Sequence, residues 1–133
     1  MNEPNLEKHI EKTLVDALFP YQRRGVIYGV MKRGRLLLAD EMGLGKSIQA
    51  LGIARYFKCD WPLLIICPSS VKFSWLNQFE SFLPNVDEIV TIEKGSDCLP
   101  LKRTKQTVVI MSYDLMVSKQ SHLIEYDFKA IIF

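Results

Sequence analysis

Apolar residues in this chain fall into short unbroken runs separated by stretches with helical spacing. Residues 36–39, 63–67 and 107–111 are continuous runs without polar alternation, and 88–92 and 129–133 are two further strand candidates. Unbroken apolar strands belong to a parallel sheet covered on both faces. Between them the spacing changes to that of helices. Pro20 opens one helix, with Val26, Ile27, Val30 and Met31 as its apolar stripe and Gly34 as its end. A second runs over 46–57. A third carries Val71, Trp75, Phe79, Phe82 and Leu83, with Ser69 and Ser70 offering N-cap hydroxyls before it. A short helix is predicted over 115–123, with Asp114 as its cap, and 93–105 reads as an exposed loop. Strands alternating with helices give an α/β fold. Residues 1–17 are a polar lead-in to the folded unit at 18–133; within that lead-in 1–13 read as weakly ordered or as a short surface helix, and 14–19 turn apolar.

The run at 36–39 leads into Asp40-Glu41-Met42-Gly43-Leu44-Gly45-Lys46-Ser47 and then directly into a helix. Strand, glycine loop, Gly-Lys-Ser and helix are the layout of a P-loop. Glycines let backbone N–H groups curl around phosphate oxygens, and the new helix turns its unpaired N–H groups to the same anion. Lys46 supplies a charge for the β- and γ-phosphates, and Ser47 a hydroxyl for magnesium. A strict P-loop has glycine where this chain has Asp40. An ordinary strand-to-helix turn with a surface lysine is therefore the competing reading of the loop alone.

Composition changes this picture little. With 133 residues, 48% hydrophobic and 24% charged, the chain is long enough for one buried core. The net charge of +2 demands no particular partner. Arg23, Arg24, Lys32, Arg33 and Arg35 fall in a stretch without acidic residues, which suits a solvated helix face or a polyanion. The three cysteines lack the paired spacing of a zinc site, and Cys67 reads as a core residue in a reduced setting. His9 and His122 are isolated. No apolar run is long enough to cross a membrane.

In an open parallel sheet, ligands bind beyond the carboxyl ends of the strands. Three such ends carry polar, loop-forming groups: 40–47, 68–70 and 112–114. The first suits phosphate and magnesium. The serines of the other two suit either a second phosphate-bearing ligand or simple helix capping.

Residues 18–22, 38–50 and 61–75 together resemble the Swi/Snf-type ATPases of helicase superfamily two. Leu18-Phe19-Pro20-Tyr21-Gln22 is similar to the adenine-reading Q-motif region, and residues 38–50 closely match motif I, in which this family carries aspartate at the position of Asp40. Trp61-Pro62 through Trp75 resembles motif Ia, nearest to the annealing-helicase (HARP-type) branch. The resemblance implies a RecA-like lobe that binds ATP and Mg2+. In it Asp40, Glu41, Met42, Gly43, Leu44 and Gly45 shape the loop, Lys46 holds phosphate, Ser47 holds magnesium and Gln22 reads adenine. It implies that Ser69, Ser70, Ser112 and Tyr113 lie along a DNA backbone, double-stranded or forked, in a nuclear protein of DNA repair, fork remodelling or chromatin remodelling. It further implies that the motif II carboxylates follow residue 133, so this chain alone is expected to be inactive, with a gap or unpaired edges in its sheet. A P-loop kinase or GTPase, and a non-catalytic DNA-binding module using the basic 23–35 face, are the alternatives from other classes.

Overall fold

The structure is a computed structural model, and it describes residues 4–32, 46–86, 88–94, 97, 99, 107–126, 128 and 130–132. Four strands form its sheet: β1 (Leu63–Ile66), β2 (Glu88–Thr91), β3 (Thr107–Met111) and β4 (Ala130–Ile132). They lie in the order β2-β3-β1-β4, and every pairing is parallel. The two central strands are β1 and β3, buried at every position. Their unbroken apolar runs follow from this. Successive side chains point to opposite faces, and here both faces are covered. Leu63, Ile65, Val108 and Ile110 join one core cluster, and Leu64, Ile66, Val109 and Met111 join the other. The predicted strand at 36–39, and with it the expected gap beside that strand, lie outside the described residues.

The first cluster is built by α1 (Leu6–His9), α2 (Lys12–Val15), α3 (Pro20–Met31), α4 (Lys46–Tyr56) and α5 (Lys72–Phe82). The second is covered from α6 (Tyr113–Ser118) and α7 (Gln120–Tyr126) by half-buried Leu115, Met116 and Leu123. On α5 the predicted stripe is the buried one, with Trp75, Phe79 and the following Leu83 all below a tenth exposed. On α3 the predicted stripe holds at Val26, Ile27 and Val30 and fails at Met31. Met31 is exposed, while Gln22, Val26, Gly29 and Val30 are buried. The buried face of α3 packs closely against α4. A Cβ at Gly52 would come 2.9 Å from Val26 Cγ2, so these backbones meet where a larger residue would not fit.

The short surface helix expected near the N-terminus is two short helices, α1 and α2, that pack into the core. Leu6 and Leu14 are fully buried, Ile10 and Val15 nearly so, and all four belong to the first cluster. Ile10 lies in the extended link between the two helices, so a mostly polar sequence still delivers its apolar residues to one core. Thr13 adds a hydroxyl donated to the carbonyl of Phe82, at the end of α5, at 2.6 Å.

The helix predicted over 115–123 is two helices, meeting at Lys119. Lys119 is 8% exposed, and its Nζ donates to the Asp97 carbonyl at 2.6 Å. Asp97 in turn accepts the N–H groups of Glu93 and Lys94 through its carboxylate, and those bonds hold its pKa below the usual carboxylate value. Asp114 is not the cap of α6, since that position belongs to Ser112 and Asp114 stands in the first turn.

Candidate functional site

The register of β1 against β3 pairs Leu63 with Val108 and Ile66 with Met111. The Cys67 N–H extends the ladder by donating to the Met111 carbonyl at 3.1 Å. Both strands therefore end at the same level. The segments that leave them, Pro68-Ser69-Ser70 and Ser112-Tyr113, share the carboxyl edge of the sheet, as the parallel reading requires. Between α4 and β1 lies only the short turn at 57–62, where Trp61 Nε1 donates to the Ala54 carbonyl at 2.9 Å. A helix so closely joined to the strand that follows it runs antiparallel to that strand. Eleven residues at ~1.5 Å each give α4 roughly the length of the strand and its flanks, directing its Lys46 end toward the carboxyl edge. Asp40, Glu41, Met42, Gly43, Leu44 and Gly45 lie outside the described residues, as do the side chains of Lys46 and Ser47.

Gln22 is 5% exposed at the start of α3, and its Oε1 accepts the Phe19 N–H at 2.8 Å. That bond satisfies one of the backbone donors left open by the first turn. The residue expected to read adenine thus also fixes the entry of the helix. Beside it Phe19 and Tyr21 are exposed, with ring centroids 6.3 Å apart and planes at 13°.

The serines divide. Ser112 is 8% exposed, and its Oγ accepts the Leu115 N–H at 3.4 Å, which is helix capping. Ser69 and Ser70 are exposed in a single 3₁₀ turn, Ser69–Val71, and neither caps that turn or α5, contrary to the expectation from sequence. Tyr113 is 47% exposed on the far side of the same edge. Ser69, Ser70 and Tyr113 are therefore each exposed to solvent, while Ser112 is committed to the fold.

Lys72 Nζ lies 3.7 Å from Glu93 Oε1, with the lysine side chain mostly buried. Cys67 is buried, and burial raises its thiol pKa although Lys72 nearby lowers it, so the sulfur stays protonated and belongs to the core. Among the described residues no group of three or more His, Cys, Asp or Glu side chains stands together. Of the basic cluster in the sequence, Arg23 is tied to Glu7 at 2.7 Å, Lys32 lies 5.5 Å from the Tyr28 ring centroid, and Arg33 and Arg35 lie outside the described residues. No helix among the described residues is long and apolar enough to cross a membrane.

Sequence reasoning passed over Phe73, which is 70% exposed at the same edge. The available signal was its phase, since it falls off the 71–75–79 stripe of its own helix.

Residues 21–133 match the SNF2-related domain family. The chain is 51% identical over 129 residues to the Caenorhabditis elegans homolog of SWI/SNF-related matrix-associated actin-dependent regulator of chromatin subfamily A-like protein 1, covering 97% of this chain and 19% of that protein. It is 37% identical over 134 residues to the human DNA annealing helicase and endonuclease ZRANB3, covering 96% of this chain and 12% of that one. Among solved structures, the Sulfolobus solfataricus SWI2/SNF2 ATPase core domain superposes with a TM-score of 0.73 at 26% identity, covering 92% of this chain and 25% of that one. The chain thus spans a fifth or less of the length of these two relatives. With the family match running from the first turn of α3 through β4, the chain belongs to the SNF2-related family.

Proposed function

We propose that this chain is the ATP-binding segment of a DNA-dependent ATPase that moves along or rewinds DNA, as part of DNA repair, fork remodelling or chromatin remodelling in the nucleus. The observation that carries the reading is the SNF2-related match across residues 21–133, which includes the glycine loop and both described strand ends. Two relatives are named as a chromatin regulator and as a DNA annealing helicase, which favours DNA as the partner.

In this reading Lys46 holds the β- and γ-phosphates of ATP, and the loop from Asp40 to Gly45 surrounds them with backbone N–H groups. Magnesium keeps much of its own shell and takes few protein ligands. Ser47 would supply one hydroxyl to a magnesium ion held otherwise by nucleotide phosphates, water and carboxylate. The ion would neutralise charge on the transferring phosphoryl group. Gln22 keeps its amide next to the adenine subsite while its oxygen anchors the helix, and Ser69, Ser70 and Tyr113 meet the DNA backbone. Ser112 supports Tyr113 by capping the helix that carries it.

The test is DNA-stimulated ATP hydrolysis by the full-length protein. Lys46→Ala abolishes the stimulated rate and leaves DNA affinity within about twofold. Turnover unchanged by that substitution would remove Lys46, and the loop with it, from this role.

A further inference from the structure

We propose that Gly25 and Gln49 are positioning residues, whose contact sets the distance between the adenine-reading and phosphate-holding ends of the nucleotide site. The inference deepens the ATP-binding reading above and rests on it. Gln49 is 2% exposed on α4, and its amide lies against the bare backbone of Gly25 on α3. A Cβ at Gly25 would overlap Gln49 Oε1 and come 3.1 Å from its Cδ, so only glycine leaves room for the amide there. The enclosed amide has no solvent to turn into, and a buried amide that moves gives up its hydrogen bonds. Further along the same interface Val26 meets Gly52. Gly25 against Gln49 is thus the contact nearer the starts of both helices.

Position gives this contact its consequence. Gln22, which would read adenine, stands three residues before Gly25 on α3, and Lys46, which would hold phosphate, stands three before Gln49 on α4. Three residues rise about 4.5 Å along a helix, so each lies about one turn from the point where the helices touch. Gln22 is itself fixed, 5% exposed and with its Oε1 on the Phe19 N–H, so it does not follow a nucleotide on its own. ATP is held at two ends at once, and a misplacement of about 1 Å is enough to forfeit one of them. A change of helix separation at Gly25 and Gln49 therefore reaches the base end of ATP. A ligand made of phosphates alone meets only the start of α4 and does not sense it.

Steady-state ATP hydrolysis by the full-length protein at saturating DNA tests this, with ADP and inorganic tripolyphosphate as competing inhibitors. Gly25→Ala is expected to raise KM for ATP and Ki for ADP by about tenfold, with kcat and the Ki for tripolyphosphate within about twofold of wild type. That pattern separates positioning from folding, because a merely destabilised protein loses active molecules and hence kcat, with KM and both Ki values unchanged. Gly25→Ala combined with Gln49→Ala puts a methyl group where the amide was, and it returns KM for ATP to within about threefold of wild type. Should Gly25→Ala alone fail to fold, Gln49→Ala loosens the contact from the other side and gives the same selective loss toward ATP and ADP. Equal rises for ADP and tripolyphosphate, a fall in kcat alone, or no change at all would overturn the proposal while leaving the ATP-binding reading intact. A wild-type protein that hydrolyses no ATP would overturn both.

Discussion

Arg55 holds Glu11 across 44 residues of sequence: Nε donates to Oε1 at 2.9 Å and to Oε2 at 3.1 Å, and Nη2 donates to Oε2 at 2.8 Å. The guanidinium carbon also lies 4.8 Å from the Trp61 ring centroid. The Arg55 side chain is 3% exposed and that of Glu11 17%. One residue of α4 thereby ties the N-terminal segment to the turn that begins β1. Removing one partner of a buried pair leaves the other charge uncompensated, at about 3–5 kcal/mol when both are fully buried. Glu11 keeps some solvent, so Glu11→Ala should cost about 2–3 kcal/mol in urea unfolding. The double change Glu11→Ala with Arg55→Met should cost less than the two single changes added together, and strictly additive costs would show that the pair is not coupled.

The same pair predicts a pH dependence. Burial raises the pKa of Glu11, but the hydrogen bonds and charge of Arg55 outweigh it, and the folded carboxyl sits below its ordinary value. A depressed folded pKa contributes stability that is present above the unfolded value and lost as pH falls through the folded one. Glu7, bonded to Arg23 and to its own backbone, acts in the same direction, as does Asp97. Unfolding free energy should therefore fall as pH drops below about 4.5, the ordinary glutamate value. Glu11→Gln should flatten that fall, and an unchanged slope would argue against the assigned pKa direction.

Gly52 gives a test of the contact between α3 and α4. Its missing Cβ would lie 2.9 Å and 3.3 Å from the two methyl carbons of Val26, and 3.5 Å from Leu14 Cδ2. Alanine in a helix interior gains about 1 kcal/mol over glycine. Overpacking against a stiff β-branched side chain costs about 1–3 kcal/mol. Gly52→Ala should lower the melting temperature despite the better helix former. A rise would mean that the helices separate without strain.

These residues also show why some of the fold was legible and some was not. The runs at 63–66 and 107–111 announced themselves because strands buried on both faces admit no polar alternation. The Pro20 start of α3 followed from the fixed φ of proline. Leu6, Ile10 and Leu14 were hidden among charges, and only the partner surface of α4 makes their spacing meaningful. The break at Lys119 was equally invisible, because the partner of that buried lysine is a carbonyl 22 residues away. At the site, the shared edge of the segments that follow β1 and β3 followed from parallel strands. Which serine would cap and which would face solvent depends on rotamers and backbone turns that spacing does not encode.

The division between Ser112 and the Ser69–Ser70 pair can be separated experimentally. An N-cap serine replaced by alanine costs about 0.5–2 kcal/mol, and the 3.4 Å bond to the Leu115 N–H places Ser112 toward the lower end. Ser112→Ala should therefore destabilise the fold by about 0.5–1 kcal/mol in urea unfolding. Any effect on DNA would then be indirect, through the position of Tyr113. Ser69→Ala and Ser70→Ala remove exposed hydroxyls that cap neither their own turn nor α5, so each should change stability by less than about 0.5 kcal/mol. Their effect should instead appear as weaker binding of single-stranded and duplex DNA alike, since a phosphate contact is indifferent to pairing. If the pair proved as costly to stability as Ser112, those hydroxyls would belong to the fold and not to the DNA-facing edge.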